Sequence, residues 1–543
     1  MSTATLPRRR RVIVATTAVA TTLVTLAAMV ALTAMSPASS QASPVRVDAA
    51  SADSSLIGAG PDAAADPAAA TATTTAATAT GSLSDVTNVV FVLADDLDWE
   101  LFRQIPRLNA LQAEGLTFTN HTVTDSLCCP SRTAILRGQY IHNHGVVSNI
   151  SATGGGWPTF RNRGEHDDCL PVWLQDAGVT TALFGKYLNE YPEVPRAARY
   201  VPPGWSQWAV PTSRGDSYTG YDYTLNVNGG LRRYGKAPRA FLNDVITEQA
   251  AEFIRTAPER FFVELSTYSP HKPAPVAVRN KDTHLSTVAP RNPNYNTVGT
   301  NPPSWITKFG PIEPWKQEQM DRLWRQRAQS AESVADSVDA VRAALEESGR
   351  AANTLIVITS DNGYHAGAHG LRNGKRTAYR EDTVVPMVVI GPGITPGTTF
   401  SSMTSTIDLA PTFTALLGAQ APAWTDGRPL TDVLLTGAAP QDWRTATMSE
   451  SMGISRPGDP DYQREAPPAF TSLRTPEWLF VSYADGEREL YDLAIDPYEL
   501  DNIADTADPR LVAHLYSQLQ LLRTCSGDSC RTADALVYDS AGA

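Results

Sequence analysis

The sequence predicts an α/β fold: a mostly parallel sheet flanked by helices, with a smaller C-terminal unit of antiparallel strands. Three observations predict it. Short continuous apolar runs, each ending abruptly in polar or charged residues, recur four times, as expected of strands buried on both faces. Stretches with apolar residues at helical spacing lie between them, and that alternation indicates an α/β sheet. Beyond residue 440 the pattern changes to two strand-like runs joined by an Asp-Gly turn.

At 543 residues the chain can hold one large domain and a smaller one. Residues 1–42 read as an export signal: Arg8 to Arg11 supply a positive start, Val12 to Met35 are uncharged, and Ser40-Gln41-Ala42 offers a cleavage site. The apolar run exceeds the usual signal core of about 7–15 residues and approaches the ~20 that span a bilayer. A retained membrane anchor is therefore the alternative to secretion, and the arginine cluster also allows twin-arginine export. Residues 43–85 are Ala/Thr/Ser/Asp-rich and bury too little apolar surface to offset ordering, so they read as a disordered linker. The large domain is expected over 86–440 and the smaller over 441–543.

Within the large domain, Val89 to Leu93 runs into Ala94-Asp95-Asp96, and Thr180 to Phe184 into Gly185-Lys186-Tyr187. Phe261 to Leu265 runs toward Ser269-Pro270-His271-Lys272, and Leu355 to Thr359 into Ser360-Asp361-Asn362-Gly363. One helix carries Leu242, Ile246 and Phe253; another carries Val334, Val338, Val341 and Leu345 and stops at Gly349. In the smaller unit Trp478 to Tyr483 and Glu489 to Asp492 form the hairpin, followed by a helical stripe of Leu511, Leu515, Leu519 and Leu522. Ligands of open α/β sheets sit beyond the carboxyl ends of the strands. Four strand ends carrying Asp-Asp, Lys, His and Asp-Asn thus point to one site. Asp95, Asp96, Asp361 and Asn362 offer only oxygen donors, which suits a hard cation, Ca²⁺ or less readily Mg²⁺, over zinc.

The most unusual stretch is Cys128-Cys129-Pro130-Ser131-Arg132, continuing Thr133-Ala134-Ile135-Leu136-Arg137-Gly138. Proline stiffens the turn, and arginine presents a planar donor fork to an oxyanion beside a thiol. This string resembles the sulfatase signature, in which the first cysteine is oxidised to formylglycine, here Cys128. The resemblance extends to Ile407-Asp408-Leu409-Ala410-Pro411-Thr412 and to Leu490-Tyr491-Asp492-Leu493 with Asp496-Pro497-Tyr498-Glu499. Tyr140 to Val146 and Gly185 to Tyr191 look like the N-acetylglucosamine-6-sulfatase and heparan-endosulfatase branch. The fold so implied is alkaline-phosphatase-like, with a large mixed, mostly parallel sheet.

The resemblance implies an exported sulfuric ester hydrolase acting on sulfated carbohydrate or another sulfate ester. Its nucleophile is position 128, matured by a formylglycine-generating enzyme. It assigns the metal, most often Ca²⁺, to Asp95, Asp96, Asp361 and Asn362 beside position 128. Arg132, Lys186 and Lys375 share the sulfate's charge, His271 protonates the leaving oxygen, and Asp361 takes a proton from the nucleophile. His365 is a candidate for a further substrate-binding histidine. One departure is clear: arylsulfatases carry a histidine two residues after the strand-end lysine, whereas this chain has Leu188 followed by Asn189. Two alternatives keep some of these features. One is a phosphonate monoester or phosphodiester hydrolase with the same site; the other is a non-catalytic sulfoglycan-binding protein.

The charge of −12 argues against a nucleic-acid partner, and a sulfated ligand must be held by a local cationic pocket. A membrane partner follows only if the N-terminal segment is retained. Of five cysteines, Cys525 and Cys530 are spaced to close a small disulfide loop. Cys129 and Cys169 are either a pair or two thiols.

Overall fold

The computed structural model describes residues 81–538 apart from 213–215, 458, 460 and 465. The export segment 1–42 and linker residues 43–80 lie outside the described residues. Residues 81–85, expected in the disordered linker, instead carry a short turn at Leu83–Asp85. Ser82 and Asp85 cap each other's backbone there. Two donors satisfied locally help order this turn, and Leu83 packs against the adjoining core. Among the described residues no helix is long and apolar enough to cross a membrane.

A ten-stranded mixed sheet forms the centre. Its middle five strands, in spatial order, are Thr354–Ser360, Asn88–Ala94, Phe261–Ser266, Thr180–Gly185 and Gln207–Pro211, all parallel. Antiparallel strands extend both sides: Met387–Ile390 beside Thr354–Ser360, and Thr224–Val227 beside Gln207–Pro211. Alternate residues of the central strand enter different cores, as a period of two demands. Val90, Val92 and Ala94 pack with helices Leu242–Thr256 and Pro314–Glu347. Val89, Phe91 and Leu93 pack with helices Cys128–Arg137, Leu170–Asp176 and Leu409–Leu416. Both faces are covered, which explains why these strands read as unbroken apolar runs.

A four-stranded antiparallel sheet follows, in the order Thr447–Ser451, Phe470–Arg474, Trp478–Tyr483, Arg488–Asp492. Helix Pro509–Leu522 lays Leu511, Leu515, Leu519 and Leu522 on it. Cys525 and Cys530 are joined in a disulfide; Cys128, Cys129 and Cys169 are buried thiols. Arg444 couples this unit to the larger one, with Nη1 and Nη2 donating to the two oxygens of Asp408 at 2.5 and 2.6 Å and Nε 3.0 Å from Asp534. Both partners of the Arg444–Asp408 pair are fully buried. Removing one member of such a pair strands the other's charge. Arg444→Ala should therefore lower stability by about 3–5 kcal/mol, read as an earlier midpoint in urea unfolding.

Several sequence features resolve as structural. Trp157, Trp205 and Trp208, whose rings could serve a sugar or a core, are buried in the second core. His142 and His144 are spaced like a metal pair, but His142 bonds Glu450 at 2.9 Å and the Cys525 carbonyl at 3.0 Å.

Candidate active site

Each strand end delivers its side chain for a local reason. Asp95 follows the central strand, and its N–H donates to the Ser269 carbonyl at 3.2 Å. Asp96 turns the chain away with φ +66°, a left-handed conformation that aspartate tolerates better than most residues. Its N–H donates to Asp361 Oδ1 at 3.1 Å, and the Asp361 N–H donates to the Ala94 carbonyl at 3.1 Å. The two metal-type strand ends are thus laced together by backbone bonds. Lys186 follows Gly185, whose φ is +113° and whose added Cβ would lie 1.9 Å from the Ser266 carbonyl oxygen. Only glycine lets the lysine-bearing strand run so close to its neighbour.

Cys128 is the first residue of helix Cys128–Arg137, which ends at Gly138 with φ +62°. Pro130 falls in the first turn, where its missing donor costs nothing. The same turn aims Ser131 and Arg132 at Asp361: Ser131 Oγ donates to its carbonyl at 2.5 Å and Arg132 Nε to its carboxylate at 2.7 Å. Arg132 Nη1 also donates to Ser266 Oγ at 2.6 Å.

Around the Cys128 sulfur, Lys375 Nζ lies at 2.8 Å and Asp95 Oδ1 at 3.5 Å. Lys186 Nζ donates to Asp95 Oδ2 at 2.6 Å, and Lys375 Nζ to Asp96 Oδ1 at 2.6 Å. His271 Nε2 is 3.7 Å from Asp96 and 3.0 Å from Asp461, while Nδ1 faces the Lys272 carbonyl at 2.5 Å. Both ring nitrogens therefore meet acceptors, as an imidazolium requires. Burial opposes that charge, but Asp96, Asp95 and Asp461 outweigh burial and raise the pKa. For Asp361 burial favours the neutral acid, yet Arg132, Lys186 and Lys375 hold the carboxyl well below the usual carboxylate range. Burial pushes the Cys128 thiol well up, so an unmodified sulfur here is protonated and a poor nucleophile.

The structure thus brings together nine of the residues singled out from the sequence: Asp95, Asp96, Cys128, Arg132, Lys186, His271, Asp361, Asn362 and Lys375. His365 joins at one remove. Its backbone pairs with Gly374 beside Lys375, and its Nδ1 lies 2.9 Å from both Asp382 oxygens. It braces the lysine loop. Leu188 is buried in the apolar core, so the position occupied by histidine in arylsulfatases supplies no proton carrier here.

Three neighbours escaped the sequence reading. Ser266 receives Arg132. Tyr218 packs against His271 with ring centroids 4.6 Å apart and planes tilted by 47°. Asp461, from the C-terminal unit, lies 3.6 Å from the Cys128 sulfur. No motif marks any of them.

A divalent cation fits the donor set. Asp95, Asp96, Cys128 and His271 place ligand-type atoms within 4.8 Å of one another. Asp96 Oδ2 and Asn362 Oδ1 are buried acceptors with no hydrogen-bond donor, and such orphaned acceptors are costly unless a cation satisfies them.

The family model described as Sulfatase matches residues 87–419. The chain belongs to the sulfatase family. It is accordingly a sulfuric ester hydrolase. A second model, N-sulphoglucosamine sulphohydrolase, C-terminal, matches residues 367–524. The chain is 35% identical over 483 residues to the N-acetylglucosamine-6-sulfatase of Capra hircus, covering 82% of this chain and 85% of the relative. Its fold is similar to that of a protein solved with its substrate D-glucosamine-2-N,6-O-disulfate, with TM-score 0.69, 20% identity, and coverage of 83% of this chain and 99% of the other. A phosphonate monoester hydrolase of Agrobacterium radiobacter gives TM-score 0.62 at 20% identity, covering 80% and 95%. At such identity these two likenesses bear on fold alone.

Proposed function

We propose that this sulfatase is exported and hydrolyses sulfate esters of sugars of the N-acetylglucosamine-6-sulfate type, with Cys128 converted to formylglycine and Ca²⁺ bound beside it. The catalytic domain spans 86–440, and 441–543 forms the subdomain that closes on it. One observation carries the reading: the Cys128 sulfur stands at a helix start within 2.8 Å of Lys375, beside unpartnered oxygens of Asp96 and Asn362. The sugar is suggested by the relative named N-acetylglucosamine-6-sulfatase.

The residues divide the work by position. A hydrated aldehyde at residue 128 supplies one hydroxyl to attack sulfur and a second whose deprotonation releases sulfate. Asp361, kept ionised by Arg132, accepts the proton of the attacking hydroxyl. Arg132, Lys186 and Lys375 balance the oxyanion charge in a water-poor setting where such charges act strongly. His271 donates its Nε2 proton to the departing sugar oxygen, with Lys375 beside it. Asp95, Asp96, Asp361, Asn362 and position 128 would hold a divalent ion, which would supply Lewis-acid polarisation of the sulfate.

Peptide mass spectrometry of protein from its native host tests the modification. The expected mass at position 128 lacks sulfur and carries an aldehyde, which requires a formylglycine-generating enzyme in that host. Intact cysteine there would favour a binding protein. Parallel assays on N-acetylglucosamine-6-sulfate and on a phosphonate monoester test the chemistry, with the sulfate ester expected to be preferred.

A further inference from the structure

Asp461 has no place in the reaction just described, yet it touches three of the site's groups, with Lys272 and Asn149 beside them. Its Oδ1 lies 3.0 Å from His271 Nε2, 3.4 Å from Lys375 Nζ and 4.0 Å from Lys272 Nζ. Its Oδ2 accepts from Asn149 Nδ2 at 2.7 Å and lies 3.6 Å from the Cys128 sulfur. The side chain is 1% exposed. One oxygen facing both an imidazole and an ammonium nitrogen is the setting of a charge-paired carboxylate.

The position of this carboxylate matters more than its charge. In-line attack requires the reacting atoms to approach about 3–3.5 Å. An anionic oxygen 3.6 Å from the reactive atom of residue 128 therefore stands in the shell that the sulfuryl group must enter. Its cationic partners, Lys375 and His271, are also the groups assigned to the sulfate and its leaving oxygen. Cys128, Asp361, His271, Lys375 and Lys186 are each at most 2% exposed, with the Asp461 carboxylate among the groups packed on them.

We propose that Asp461 is an internal stand-in for the sulfate group: it neutralises the anion site between turnovers and is displaced by substrate. The inference rests on the sulfatase reading of the site. Asp461 thereby sets the affinity for the anionic group, and a carboxylate from the C-terminal unit tunes a site built by the sheet.

Asp461→Asn keeps the shape and removes the charge. Like charges at this separation repel strongly in a buried site. In the metal-loaded, formylglycine-bearing enzyme, inorganic sulfate should therefore bind about tenfold tighter to Asp461→Asn than to the parent, measured by calorimetric titration. KM for the sulfate ester should fall in parallel, with sulfate becoming a stronger product inhibitor. Asp461→Ser, with an unchanged unfolding midpoint as control, should behave alike. Unchanged sulfate affinity in both variants overturns the proposal. So does a raised KM with kcat/KM reduced a hundredfold, because Asp461 would then hold substrate. Failure of the parent enzyme to turn over any sulfate ester is a separate result, and it would sink the sulfatase reading of the site.

Discussion

Cys128→Ser is expected to bind a sulfate ester and turn over at most once. Serine offers a single hydroxyl in place of the two that a hydrated aldehyde provides. After attack, that oxygen carries the sulfate as a stable ester, and nothing on the residue can expel it. The surroundings should tolerate the change. Lys375 and Lys186 are held by Asp96 and Asp95, and Arg132 by Asp361, so substrate binding should persist. Steady-state rate should fall by at least about 10⁴-fold, the scale on which loss of a nucleophile usually registers. Mass spectrometry after incubation should show one added sulfate on the peptide containing residue 128. Sustained turnover by this variant would refute the formylglycine scheme.

Metal removal should be nearly as damaging. Asp95, Asp96 and Asp361 are buried carboxylates within one pocket, and Asp96 Oδ2 and Asn362 Oδ1 lack donors. Lys186 and Lys375 lie 2.6 Å from Asp95 and Asp96, so a cation on these carboxylates would share their charge and leave the ammonium groups to the sulfate. Exhaustive EDTA treatment should abolish activity, and Ca²⁺ should restore it better than Mg²⁺, since a crowded set of four or five oxygen donors suits the larger ion. The same treatment should lower the thermal midpoint, because binding free energy to the native state alone adds to stability. Full activity after chelation would remove the metal from the mechanism.

Much of this site was legible in the chain because its parts are local. Asp95-Asp96, Lys186, His271 and Asp361-Asn362 each follow a buried apolar run, and parallel strands must end on the same edge of their sheet. The Cys128–Arg132 stretch is contiguous and chemically unusual. His365 was harder to place. Its sequence position beside Asp361-Asn362-Gly363 suggested the pocket, but only the pairing with Gly374 and the contact with Asp382 show that it braces a loop. The tryptophans near 157, 205 and 208 were equally ambiguous, since an aromatic ring serves a sugar or a core alike until its burial is known.

The sequence by itself determined the alternation of strand and helix, the edge on which the reactive groups gather, and the oxygen-donor character of the Asp-Asp and Asp-Asn strand ends. These follow from short-range periodicity and residue chemistry. Only the tertiary structure decided which carboxylate faces the nucleophile from outside the sheet. Asp461 lies 333 residues beyond Cys128, in a segment with no periodicity between two strands of the smaller sheet. Its arrival beside the sulfur depends on how that sheet docks through Arg444 and Asp408, a contact between distant segments that no local pattern encodes.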